Sequence, residues 1–321
     1  MSLHPRSKQV LLSLALSLPL AGCGDGGTNP AQEIAATDFK IELVFITRGT
    51  PSQDSAFFRA ADRWMNILRG KLSDVDFSSN PVSANKCIQG QPRVSDKVDD
   101  LRIFVDISPI DGVLGTLAQA GPCQIRSTSH LPALGFIQID SDDVARLERD
   151  GDLTDVMLHE MGHVLGFGTL WEKFDTLLVN PSLPTNTGAD THFAGNAAIA
   201  AFDAAGGTAY TGGGKVPVEN ELGTGSSDSH WRESILGNEL MTPELTAGVI
   251  NPLSAITTAS LADLGYTVDS AGADSFSPTL SAPARLRASG RRIIDLENDT
   301  YRGPLQVVDP SGKVIKTIFW R

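Results

Sequence analysis

Cysteine is nearly absent: the 321-residue chain has three, at positions 23, 87 and 123. They lie too far apart to form the paired motifs that build a structural zinc site. Positive charge is also in short supply, with 26 Lys and Arg against 38 Asp and Glu and a net charge of −12. That balance argues against a nucleic-acid partner and against a polybasic membrane dock. Past the first 22 residues no apolar run approaches the ~20 residues needed to cross a bilayer, and no internal repeat is present. What remains is long enough for one large domain, or one domain with an appendage.

The first 22 residues read as a leader. Arg6 and Lys8 make a basic start, Val10 to Leu20 an apolar run, and Leu20-Ala21-Gly22-Cys23 a small-residue cleavage site. The tetrapeptide resembles the lipobox of bacterial lipoproteins, which implies cleavage before Cys23 and a lipid on its sulfur. The expectation is an exported protein of the bacterial cell envelope, tethered to the membrane through residues 23–38. Arg6 and Lys8 are the leader's only charges, so the remaining chain carries −14. In that compartment Cys87 and Cys123 are expected to pair, closing a loop of about 36 residues worth ~2–4 kcal/mol.

Hydrophobic periodicity marks an α+β chain. Phe39 to Ile46, Leu101 to Ile107 and Leu134 to Ile139 read as strands. Pro51 to Leu68 reads as a helix, with Phe57, Ala61, Trp64 and Leu68 on one face. Residues 172–229, rich in Gly, Ala, Thr and Asn, form a loop-rich insertion with a short helix near Ala197 to Ala204. Asn251-Pro252 starts another helix, which Gly265 closes. From Asp269 the composition turns to Ser, Pro, Ala and Gly, with β-prone pieces at 292–296, 305–308 and 314–320. Residues 269–321 are therefore expected to be a small β tail, packed on the main domain or standing as an appendage.

The chemistry sits in His159-Glu160-Met161-Gly162-His163, followed by Gly166. Residues four apart share a helix face, so both imidazoles reach one metal, and Glu160 lies one residue off that line. Zinc bound there lowers the pKa of a water, and a neighbouring carboxylate can take its proton. Leu153, Met157, Met161 and Val164 recur at helical spacing, and Asp152 is placed to cap the helix. Gly162 in mid-helix predicts the close approach of another backbone.

A catalytic zinc usually has three protein ligands and one open position. The residue ten past His159 is Thr169, so the third ligand must lie elsewhere. Glu172, Asp175, Glu219, His130, His192 and His230 are the candidates by residue type. Of these, His230 is followed eleven residues later by Met241 in Glu239-Leu240-Met241-Thr242-Pro243.

His159-Glu160-x-x-His163-x-x-Gly166, a long insertion, a lone His230 and then Met241 resemble the leishmanolysin-like metzincins. Ala60-Ala61-Asp62-Arg63-Trp64, Gly121-Pro122-Cys123-Gln124-Ile125-Arg126, Gly168-Thr169-Leu170-Trp171 and Ser229-His230-Trp231-Arg232-Glu233-Ser234 are similar to bacterial members. The resemblance covers roughly residues 39–268. It implies a metzincin-like protease domain: a twisted mixed sheet, an active-site helix and a loop-rich C-terminal subdomain. It further implies one catalytic Zn2+ held by His159, His163 and His230, with Glu160 as general base and Met241 as the apolar floor beneath the metal. Protein or peptide substrates would lie extended along an exposed strand edge above the helix, with Leu134 to Ile139 as the candidate strand. Eukaryotic relatives are held inactive by a cysteine presented to zinc, and no such cysteine stands between Cys23 and Phe39. A competing expectation is a tethered binding or adhesion protein with a structural zinc, which a fourth protein ligand would favour.

Overall fold

The computed structural model describes residues 39–172, 177–184, 190–278, 280 and 292–319. The leader, the tether with Cys23, and Asp175 lie outside the described residues. Strand β1 (Ile41–Thr47) leads into helix α1 (Pro51–Met65). A reciprocal pair starts that helix: Thr50 Oγ1 accepts from Gln53 N (3.3 Å) and Gln53 Oε1 accepts from Thr50 N (2.9 Å). The helix buries Phe57, Ala60, Ala61 and Trp64, but it stops three residues short of Leu68, which begins a two-residue strand.

Strands β2 (Leu101–Ser108), β3 (Ala118–Arg126) and β4 (Pro132–Asp140) follow. Helix α2 (Ser141–Asp150) comes next and then helix α3 (Leu153–Leu165). Sequence periodicity had not marked β3 or α2. β3 carries Gly121-Pro122, and its register shifts between Pro122 and Gln124 and again before Ile125, which erases the period-two pattern. α2 is short and acidic, and is started by the Asp140 carboxylate accepting from Asp142 N (2.9 Å). Asp152 does not cap α3. Its carboxylate instead accepts from Gly248 N (2.8 Å) and pairs with Arg292 (2.7 Å).

The loop-rich stretch holds helix α4 (Asn196–Phe202), and strand β5 (Glu244–Thr246) and helix α5 (Ala255–Asp263) follow it. α5 starts three residues after Pro252, because Ser254 supplies the cap to Ile256 N and Thr257 N. Strands β6 (Ile293–Asp295), β7 (Leu305–Val308) and β8 (Val314–Ile318) complete the chain.

The main sheet has six strands in the order β1-β2-β4-β3-β7-β8. β1, β2 and β4 are mutually parallel, β3 is antiparallel to β4, and β7 returns parallel to β3. Both faces are covered, so the central strands are buried almost continuously. One face carries Ile103, Val105, Ile107, Ile137 and Ile139 against α1 and α3. The other holds Phe104, Leu134 and Phe136 with Phe77, Val94 and the Cys87–Cys123 disulfide. β4, expected to present a free edge, lies inside the sheet between β2 and β3. Strands from the chain's last 30 residues thus belong to the central sheet. No helix among the described residues is long and apolar enough to cross a membrane.

Candidate metal centre

α3 is buried along most of its length, and the sheet-facing stripe and the histidine face serve different neighbours. Trp64 Nε1 donates to Leu158 O (2.9 Å), fastening α1 to α3 one residue before the first histidine. Gly162 faces the side chain of Met241: a Cβ there would sit 2.7 Å from Met241 Sδ. The close approach that Gly162 implied is therefore a thioether rather than a backbone, and Met241 is itself fully buried.

His230 arrives from a loop that several buried groups hold in place. Glu219, considered above as a ligand, is a cap instead: it accepts from Glu221 N (2.6 Å), Leu222 N (3.0 Å) and Glu233 N (2.8 Å). Its backbone N donates to His230 O (2.9 Å). Trp231 N donates to Met241 O (3.0 Å), and Trp231 Nε1 to Thr257 Oγ1 (2.8 Å). Gly168 allows the closest approach: its φ is +69°, and a Cβ would lie 2.1 Å from Ser229 O. The loop bearing His230 can lie against the end of α3 only with glycine there.

Each imidazole donates from Nδ1 to a backbone carbonyl: His159 to Leu240 (2.6 Å), His163 to Phe167 (3.0 Å), His230 to Ser226 (3.0 Å). A carbonyl only accepts, so these bonds put the neutral-ring proton on Nδ1 and leave the Nε2 lone pairs free. The three Nε2 atoms converge, 3.0, 3.2 and 3.2 Å apart.

A fourth donor stands among them. Asp299 Oδ2 lies 3.0 Å from His159 Nε2, 3.1 Å from His230 Nε2 and 3.4 Å from His163 Nε2. Among the described residues, His159, His163, His230 and Asp299 are the grouping with metal-ligand spacing. Bonds of 2.0–2.1 Å to a tetrahedral zinc set donors about 3.3 Å apart, and all six observed separations fall near that value. The donor set, three nitrogens and a carboxylate oxygen, is one that zinc takes. Glu160 stands beside it, fully buried, and neither carboxylate oxygen has a hydrogen-bond partner. The site fits a zinc ion.

Electrostatics follow from burial. Desolvation pushes His159 down to about 4, against the pull of Asp299. Desolvation, with the Asp299 charge added, raises Glu160 well above the usual carboxylate range. Burial would raise Asp299 too, but the surrounding imidazoles reverse it and hold that carboxyl well below its ordinary value.

Glu172, His130 and His192 lie outside the cluster, and His192 Nδ1 donates to Asp190 O (2.7 Å). Asp299 was missed because no local pattern announces it. It follows Asn298 in a polar turn 140 residues beyond His159, with no helical or metal-motif spacing to either.

A family model described as leishmanolysin matches residues 81–279. The chain is 29% identical to leishmanolysin of Leishmania chagasi over 205 residues, 64% of this chain and 32% of that protein. It is 31% identical to leishmanolysin of Leishmania donovani over 182 residues, 52% of this chain and 27% of that one. To leishmanolysin of Leishmania major it is 30% identical over 212 residues, 56% of this chain and 32% of that one. The chain spans about a third, or less, of the length of these curated relatives.

Proposed function

The chain belongs to the leishmanolysin family, and from that premise we propose that it is a zinc-dependent endopeptidase with Glu160 as general base. His159, His163 and His230 hold one Zn2+, each ring aimed by its Nδ1 bond to a carbonyl. When bound, the zinc supplies Lewis acidity toward water and the scissile carbonyl. Glu160 takes the proton of the attacking water and passes it to the departing amine. Its position suits that work: it is shielded from solvent, and no neighbour engages its oxygens. Met241, packed on Gly162 beneath the histidine face, keeps the helix at a fixed depth. The substrates are proteins or peptides, and the enzyme is exported and tethered through a lipid on Cys23.

The observation that carries this reading is the pairing of three converging Nε2 atoms with the unpartnered carboxylate of Glu160. Proteolysis of an unstructured protein by residues 24–321, beside Glu160→Ala and with zinc measured on both, tests it. The variant should keep its zinc and lose about 10²–10⁴-fold in rate. Comparable cleavage by both proteins would reject Glu160 as the base. Folded wild type that takes up no zinc would reject the whole reading.

One observation favours a second reading. Asp299 makes the donor set four, and structural zinc sites are closed by four protein ligands. A tethered binding protein on a metalloprotease scaffold would have such a site. It has no use for Glu160, whose burial without a partner is costly unless it serves chemistry.

A further inference from the structure

A catalytic metal keeps one position open, and an extended substrate needs a free strand edge to lie on. In this chain one segment takes both. β3 is flanked by β4 on one side. On its other side residues 306–308 pair with 124–126. Further along, Ala120 N donates to Asp299 O (2.7 Å) and Tyr301 N donates to Ala120 O (2.8 Å). Gln124 Nε2 also donates to Gln306 Oε1 (2.9 Å). That strand edge is therefore occupied on both sides of the bend in the segment.

The same segment turns Asp299 onto the three imidazoles, where its side chain is 1% exposed. The second oxygen, Oδ1, accepts from Thr300 Oγ1 (3.0 Å), so the carboxylate is oriented from both sides. The Tyr301 ring stands edge-on to Phe136 at 4.8 Å. Arg302 donates to Ser227 O (2.8 Å) in the loop that carries His230. Beside that loop lies a cavity of about 130 Å³, lined by Leu183, Asp228, Ser229 and Arg302 among others.

We propose that residues 296–308 are an intramolecular inhibitor of the metal centre, with Asp299 as the fourth ligand and residues 299–301 lying where a substrate chain would lie. The proposal rests on the zinc-peptidase reading of the site. The segment falls beyond residues 81–279, the part matched by the family model. Glu160 argues that the fourth ligand is exchangeable: a permanent four-ligand site needs no general base at its side. Displacement of the segment, rather than uptake of metal, then governs activity.

The test is calorimetric titration of zinc-loaded residues 24–321 with acetohydroxamate, a small chelating anion that needs an open metal position. Wild type, Asp299→Asn and Tyr301→Ala are compared, with cleavage of an unstructured peptide measured alongside. If the open form is about 1% of wild type, Asp299→Asn binds the hydroxamate about 100-fold more tightly, and it cleaves faster to match. Tyr301→Ala, which removes the ring from Phe136 without touching the imidazoles, gives a smaller rise in both. Equal hydroxamate affinity in wild type and Asp299→Asn overturns the proposal. Should Asp299→Asn lose its zinc or its fold, Tyr301→Ala decides, and an affinity unchanged from wild type overturns it. Tight hydroxamate binding by Asp299→Asn with no cleavage supports the inhibitor and rejects the endopeptidase reading, so the two can fail separately.

Discussion

Helix α3 and the segment 296–308 meet at the same few atoms but are built by opposite means. α3 brings His159, Glu160 and His163 together through its own backbone, because residues four apart share a face. The segment brings Asp299 to them only because β7 pairs with β3 and Ala120 bonds on both sides of Thr300. The helix is closely packed within the core. The segment is anchored at both ends, with Leu296 buried in the core and β7 paired between β3 and β8, while the turn at 299–301 is held by two backbone bonds to Ala120, one aromatic contact and the carboxylate. A donor from a rigid helix can be permanent, whereas one from a short turn between anchored ends can be exchanged at lower cost.

Metal removal should break that comparison most visibly. With free zinc at about 1,000 times its Kd, binding adds about 4 kcal/mol to stability, read as a fall in Tm on chelation. Hydrogen exchange should then rise more in 296–308 than in α3; equal protection in both states would mean that the metal does not tie the segment down. Breaking the disulfide acts on β3, the strand between the two regions. Cys87→Ser with Cys123→Ser should cost about 3 kcal/mol in denaturant unfolding, with zinc affinity little changed. A collapse of zinc affinity instead would show that β3 shapes the ligand set directly.

Gly168→Ala should cost about 2 kcal/mol, because it combines an unfavourable φ with a backbone clash. Since the clash is with Ser229 O, zinc affinity should drop as well; unchanged affinity would mean that His230 is not positioned through Gly168. A further prediction concerns the shape of the stability curve. Burial, with the Glu244 carboxylate nearby, pushes Glu233 up to about 8 from the usual 4.5. A carboxyl protonated in the fold but ionised in the unfolded chain contributes stability below pH 4.5 that is lost as pH rises through 8. Glu244 lies in β5, which pairs with β6 at the root of the tail. Glu233→Gln should therefore flatten stability between pH 4.5 and 8, and a curve of unchanged slope would count against a buried, protonated Glu233.

How much was legible divides along the same line. That His159 and His163 share one face with Glu160 beside them was readable because helical spacing is local, and so was α1, whose apolar face is written in consecutive residues. His230 needed its neighbours Ser229, Trp231 and Arg232 and a family resemblance, since nothing local ties a loop histidine to a helix 67 residues away. β3 escaped notice because Pro122 and two register shifts break its alternation. The expected substrate strand was wrong for a topological reason. Leu134 to Ile139 alternates as a strand should, but alternation says nothing of neighbours, and β3 pairs along its outer side.

The sequence alone determined that two imidazoles and a carboxylate gather on one helix, because that depends only on 3.6 residues per turn. It determined that Gly162 marks a close approach, since a missing Cβ is a local fact; that Gly168 marks another was not read from the sequence. Tertiary structure decided what approaches them, a thioether at one and the Ser229 carbonyl at the other. It also decided that the centre has four donors. Strand pairing brings residue 299 to residue 159 at 3.0 Å across 140 positions, and long-range pairing leaves no period in the chain from which it could be read.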